Sequence, residues 1–379
     1  MRGVPSGGVD DPEYMSSVYR YLLLHEYDDR IVELGEDLLN EDIKLDKVSR
    51  LTALATATAC FNLYKFDRAL WHIEKYNLRE VAEGNILEAQ IHWGRGERRQ
   101  ALELLAETTR KFPQAAQVFT RISDFHAEAG DLHAARRNAV LAQVTNPMSL
   151  DVALKVFSIE CRLDMVERAN GSFQDVLDNF PNDRSSLLKI ATAVAELGRP
   201  DFAVRVESRA GQSGLDDARF PLATLSARVL GGQFQEAYAQ GSDLLQTAGD
   251  WKVNYHRSML LCLLSAAAFG KGDAEQGRTH LKDFFQAPPP PADEIHHLAG
   301  HFQKINMTAQ ERQILMFGRK NHPDFRPILE DLLQRDLSRR NYGTLPEHLR
   351  ETLQVRRKNA QLLHRCREVM ASDYFLFLP

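Results

Sequence analysis

Cysteine is scarce in this chain of 379 residues: Cys60, Cys161, Cys262 and Cys366 stand about a hundred residues apart. With no CxxC pair, that spacing excludes a zinc ribbon and a dense disulfide framework, and predicts reduced thiols in a cytoplasmic chain. Long apolar runs are missing too. The longest, Met259 to Gly270 (MLLCLLSAAAFG), has twelve residues, whereas a membrane-spanning helix needs roughly 20. It predicts a buried helix. Met1 to Asp10 carries one Arg with no apolar stretch behind it, a pattern that predicts no secretory leader. Nor is there an excess of positive charge: 47 Lys and Arg face 52 Asp and Glu, a net of −5. Such a chain as a whole does not suit nucleic acid.

Signatures of catalysis are equally thin. No GxxxxGK[ST] phosphate loop, no GxGxxG after a strand and no GxSxG elbow occurs, and no segment alternates as a strand would. His297 and His301 lie four apart on one helix face with His296 beside them. Without a third or fourth ligand or an HExxH context they predict solvated histidines at a helix end rather than a metal site. Cys60 and Cys161 fall inside helices, where core or groove thiols are expected. Asn170-Gly171-Ser172 and Asn306-Met307-Thr308 are sequons that mean little where no leader is expected. No cofactor, no metal and no enzymatic activity are expected.

What is present is a period. Ala101, Ala135, Ala169, Ala203 and Ala237 step by 34 each time, as do Pro113, Pro147 and Pro181, and the turn positions Gly96, Gly130, Asp164, Gly198 and Gly232. Three residue classes sharing one period over consecutive units define a repeat. Each unit needs two short antiparallel helices. The turn residue supplies the positive φ that ends the first helix, the Ala lets the second pack close against it, and the Pro ends the second. Flanking units follow more loosely: Phe66 to Leu70 and Tyr27 to Leu39 begin second helices upstream, the latter with Ile31 in the small position. Downstream, Gly277 takes that position after a longer step of 40 from Ala237, with an insertion near Thr247 to Asn254.

This pattern resembles the tetratricopeptide repeat (TPR). The resemblance covers about three quarters of the chain and implies an all-α, right-handed helical-hairpin solenoid. The expected organisation is a flexible N-terminus over 1–11, about eight hairpins over 12–286, a Pro-rich spacer over 287–292 (APPPP at 287–291) and a C-terminal helical cap over 293–379. The array departs from the family in its first helices, where Ala89, Ser123, Phe157, Ala191 and Leu225 occupy the small position, and in Leu215 and Gly249, which replace Pro. In the cap, helices are expected over 293–305, 308–321, 325–339 and 346–370. Residues 311–370 carry a net of +5 and residues 1–310 a net of −9.

The TPR register also implies which first-helix positions face the groove. One row is Leu54, Ile86, Thr120, Leu154, Leu188 and Leu222; a second is Phe61, Trp93, Ala127, Cys161, Ala195 and Val229. Between them run Thr58, Gln90, Asp124, Ser158, Thr192 and Ser226. Two rows are mostly apolar or small and one is uniformly polar. That groove lacks the Lys and Asn with which TPR domains grip acidic chaperone tails, and suits an amphipathic helix or an apolar peptide. Leu54, Phe61, Ile86, Gln90, Trp93, Asp124, Leu154, Leu188 and Leu222 are the candidate partner contacts. A second candidate surface is the basic face of Arg350 to Arg367, with Arg350, Arg356, Arg357 and Lys358 solvated. The apolar end Tyr374 to Pro379 (YFLFLP) should dock on something, since left in water it favours aggregation.

The expected role is thus a protein-binding scaffold. A free-standing array of this size is similar to bacterial kinesin-light-chain-like proteins, which implies a bacterial tubulin filament as partner. Its repeat spacing departs from the longer repeats of true light chains. The alternatives are a specificity or regulatory subunit of an enzyme complex and a self-assembling scaffold.

Overall fold

The computed structural model describes residues 12–24, 28–39, 47–247 and 254–339. Among them every regular element is helical, and they fall into two compact units, dividing between Pro147 and Met148, each an all-α stack of helical hairpins.

The first unit contains α1 (Pro12–Leu24), α2 (Asp28–Leu39), α3 (Lys47–Asn62), α4 (Phe66–Lys75), a single 3₁₀ turn (Leu78–Glu80), α5 (Ala82–Gly94), α6 (Arg98–Lys111), α7 (Ala116–Glu128) and α8 (Leu132–Thr145). The second contains α9 (Leu150–Arg162), α10 (Val166–Asn179), α11 (Arg184–Glu196), α12 (Pro200–Gln212), α13 (Arg219–Leu230), α14 (Phe234–Thr247), α15 (Asn254–Gly270), α16 (Ala274–Gln286), α17 (Ala292–Lys304), α18 (Thr308–Asn321) and α19 (Arg326–Arg339). Within each, partners in a hairpin pack on each other, as α7 does on α8 and α15 on α16. First helices also pack on first helices, α9 on α11, α11 on α13 and α13 on α15. That last contact is what makes a stack of hairpins continuous.

The periodic residues fulfil the roles their chemistry suits. The turn residues Gly96, Gly130, Asp164, Gly198 and Gly232 all have φ between 55° and 86°. Glycine enters that region at little cost, while an L-residue such as Asp164 gives up about 1–2 kcal/mol there. The small residues Ala101, Ala135, Ala169, Ala203 and Ala237 are buried. At Gly277 a Cβ would lie 2.8 Å from the Phe269 ring, so even alanine is too large. Pro113, Pro147 and Pro181 each stand two residues beyond the end of a second helix, at α6, α8 and α10. Asp131, Asp183 and Asp273 cap α8, α11 and α16 by accepting from the backbone N–H three residues on.

Large side chains fill what the small ones leave. In the second unit Phe157, Phe173 and Phe202 meet with ring centroids 4.6 to 5.2 Å apart, one pair edge-to-face. The small position of α9 is thus held by a fully buried phenylalanine. Helix α15, the apolar run of the sequence, is buried along nearly its whole length.

The hairpin series continues past the Pro-rich segment. Asn306, between α17 and α18, has φ 62° and stands one full repeat step beyond the Gly272 turn at φ 91°. Asparagine is the residue besides glycine that enters this region most readily. Glu311, one repeat step beyond Gly277, occupies the small position of α18, fully buried and held by Arg335 of α19 (Nη1 to Oε2, 2.6 Å). Beside it Arg312 pairs with Asp336 at 2.7 Å. The prolines between α16 and α17 are pinned: the Ser258 hydroxyl donates to the Pro288 carbonyl (2.6 Å) and His322 Nε2–H to that of Pro290 (2.9 Å). The expected helix over 346–370, the basic residues Arg350, Arg356, Arg357 and Lys358, and the apolar end 374–379 lie outside the described residues.

Candidate functional site

In the first unit the sequence-predicted groove positions differ in how far their neighbours cover them. Trp93 of α5 stacks on Phe125 of α7 with ring centroids 4.1 Å apart and planes 6° from parallel, and its indole N–H donates to Glu128 Oε2 at 2.7 Å. Asp124 pairs with Arg121 at 3.6 Å. Ile86 is buried, Leu54 and Phe61 pack partly buried against the core of α1 to α5, and Gln90 is half-buried.

In the second unit the first helices line an open cavity of about 290 Å³. Leu188, Ala191, Thr192 and Ala195 of α11 form one wall; Arg219, Leu222, Ala223 and Ser226 of α13 and Met259 and Leu263 of α15 form the floor. The remaining wall is α17, through Asp293, Glu294, His297, Leu298 and His301. Of the sequence-predicted partner contacts, Leu188 and Leu222 meet here, with Thr192, Ala195 and Ser226 of the neighbouring rows. Leu154 is buried in the core of α9 to α13 instead.

Helix α17 packs on α15 and α13 and reaches α11 at its end. His301 is buried, 1% exposed, and its Nε2 lies 2.5 Å from Ser226 Oγ. Its Nδ1 is 2.9 Å from the His297 carbonyl oxygen. A carbonyl can only accept, so Nδ1 carries the proton and the bare Nε2 accepts from the serine hydroxyl. Burial, then the neighbouring His297, holds the imidazole down to about 3, so it stays neutral. In the last turn of α17, Lys304 Nζ donates to the Glu196 carbonyl at 3.1 Å. The reading of His301 as a solvated histidine is therefore corrected. What the residue itself lacks in sequence is any sign of a partner, which stands 75 positions away.

A serine bonded to a neutral histidine has the outline of a nucleophile and base. The surroundings argue against that use. Ser226 lies inside α13, whose backbone N–H groups are spent on the helix, so none is free to hold an oxyanion. An imidazole held near 3 is also a weak base. The pair closes the cavity.

The opposite end is charged. Asp217 accepts from Arg219 (Nη2 to Oδ2, 2.8 Å) and from Arg184 Nε (2.7 Å), and these guanidinium bonds outweigh its burial and hold the carboxyl well below the usual range. Arg219 is thereby engaged. Glu294 and Asp293, in the first turn of α17, have no hydrogen bond or ion pair among the described residues. Burial, reinforced by Asp293, pushes the Glu294 carboxyl up. No group of three or more His, Cys, Asp or Glu among the described residues is placed to hold a metal, and no described helix is long and apolar enough to cross a membrane.

Asp293, Glu294 and His297 escape the groove rows read from the sequence because that reading assigns α17 to a cap. The signal that finds them is Asn306, which places α17 in register as a first helix.

No protein-family model and no curated protein matches the sequence. Among solved structures the chain is similar to a tetratricopeptide repeat protein from Parabacteroides merdae, with 14% identity and a TM-score of 0.38 over 72% of this chain and 98% of that one. It is similar to the C-terminal part of a TPR repeat-containing protein from Cytophaga hutchinsonii, with 13% identity and a TM-score of 0.40 over 69% and 98%. A third likeness is to Naa15/Naa10 bound to HypK-THB, with 10% identity and a TM-score of 0.34 over 81% and 68%. At such scores the helix pairs described above, not these likenesses, carry the fold.

Proposed function

We propose that this chain is a non-catalytic scaffold that engages a protein partner through its first-helix faces. The carrying observation is the cavity of the second unit, where two of the groove positions, Leu188 and Leu222, line one concave site together. Apolar walls with a few convergent polar groups are the usual makeup of a recognition site, and the Ser226–His301 pair lacks what acyl transfer requires. A photo-crosslinking residue placed at the exposed Thr192 tests this, beside one at the exposed Val166 on a second helix of the same unit. Protein adducts formed from position 192 and not from 166 support the reading. Equal labelling from both, or turnover of ester or phosphate substrates by the purified chain, refutes it.

The finer identity of the partner rests on the sequence. The basic residues Arg350, Arg356, Arg357 and Lys358 suit an acidic surface of the tubulin type. Salt-sensitive co-sedimentation with polymerised bacterial tubulin is the expected result, and an empty pellet rejects that partner.

A further inference from the structure

The cavity is uneven along its length, and that unevenness selects a ligand. From Asp293 to His301 the lining stripe of α17 rises eight residue steps, about 12 Å at 1.5 Å per residue. One end is closed by Ser226 and His301, whose polar atoms satisfy each other. The middle, through Leu222, Met259, Leu263 and Leu298, offers only apolar contact. The other end presents two carboxylates without hydrogen-bond partners, while the nearby guanidinium of Arg219 is bound by Asp217.

Consider what each class of occupant would do to those carboxylates. An anion placed there meets like charge, and the guanidinium that lines the cavity, Arg219, is already bound by Asp217. A wholly apolar occupant strips water from Asp293 and Glu294 and gives nothing back, which is costly for a charged group. A cation removes that cost and forms charge-assisted hydrogen bonds. The chemistry favoured is therefore an apolar body with a positive group beside it.

We infer that the cavity docks a partner peptide, inserting one apolar side chain between α11, α13 and α15 and setting an adjacent lysine or arginine against Asp293 and Glu294. This rests on the scaffold reading and names the chemistry of its partner. A volume of about 290 Å³ lies at the small end of ligand pockets, roughly 300–1,000 Å³, so it takes an anchor residue rather than a length of chain. Lysine suits the rim well, because its aliphatic stem can lie along the apolar wall while the ammonium stays at the mouth.

Fluorescence anisotropy on the full chain tests it with four nine-residue labelled peptides. One has a central Leu between two Lys; the others replace both Lys by Gln, both Lys by Glu, or the Leu by Ser. The Lys peptide should bind about tenfold more tightly than the Gln peptide, and the Glu and Ser peptides more weakly than either. The double variant Asp293→Asn, Glu294→Gln should bind Lys and Gln peptides alike, at the affinity the original chain shows for Gln. Ala223→Phe, which fills the cavity from α13, should abolish binding of both, with an unchanged helical circular dichroism spectrum to show that the chain still folds. Equal affinity for the Lys, Gln and Glu peptides overturns the inference, as does a preference that survives the double variant. If hexylammonium alone binds as tightly as the Lys peptide, the site is one for small amines and the peptide assignment is wrong. Should none of the peptides bind while position 192 still crosslinks to protein, this inference fails and the scaffold reading stands; loss of both removes both.

Discussion

Acid should loosen the second unit through one histidine. His301 sits neutral at about 3, held down by burial and by His297, whereas an unfolded chain would titrate near 6.5. Because the folded value lies below the unfolded one, the open chain binds the extra proton between those limits. Stability is then fully present above about 6.5 and declines as pH falls toward 3. Between pH 7 and pH 5 the loss from this group is about 2 kcal/mol, taking about 1.36 kcal/mol per unit over the part of the interval where the two states differ. That corresponds to about a thirtyfold rise in the open population. The groups facing the imidazole are Ser226 on α13 and, along α17, His297 and Lys304, neither of which would welcome a second positive charge. Hydrogen exchange read by mass spectrometry over α13 and α17, corrected for intrinsic pH dependence, measures the opening locally. His256, His280 and His297 are also shifted down by burial and push the same way. The decisive quantity is accordingly the difference from His301→Gln, which keeps an acceptor for Ser226 but cannot titrate. Over the same pH interval the variant should lose less stability than the original chain, by about 2 kcal/mol. An identical pH response in the two proteins would refute the assignment of a buried neutral His301.

Three further substitutions have expected outcomes. Gly130→Ala should destabilise the first unit by about 1 kcal/mol, since φ is 86° there and no atom lies within 4 Å of the added Cβ, whereas Asp164→Gly at φ 55° should stabilise the second; urea denaturation of each variant measures both, and equal signs would contradict the turn argument. Asp217→Asn should cost about 2 kcal/mol in the same assay, because two guanidinium partners lose a nearly buried carboxylate; it should also free Arg219 to face Glu294 and so narrow the Lys-over-Gln peptide preference, and an unchanged preference would separate Arg219 from the charge balance of the cavity.

The repeat was legible because its signals are local. A positive φ after a first helix asks for Gly, Asp or Asn wherever it occurs, a close helix crossing asks for Ala or Gly, and a helix stop two residues on tolerates Pro. Each constraint acts within one hairpin, so the sequence by itself determined the repeat spacing, the turns at Gly96 to Gly232 and the buried alanines. It determined the groove rows only as far as the register of a single hairpin reaches. Exceptions at the small positions show where packing overruled the pattern: Phe157 is admitted beside Phe173 and Phe202, and Glu311 is admitted because Arg335 stands opposite it. What only the tertiary structure decided is the meeting of α17 with α13 and α11, which buries His301 on Ser226, leaves Asp293 and Glu294 without hydrogen-bond partners at one end and turns part of an open groove into a cavity. That meeting depends on small rotations accumulated from hairpin to hairpin, each set by the side-chain volumes at an interface. No single residue or spacing carries such a sum, so it appears only when the hairpins of that unit are stacked.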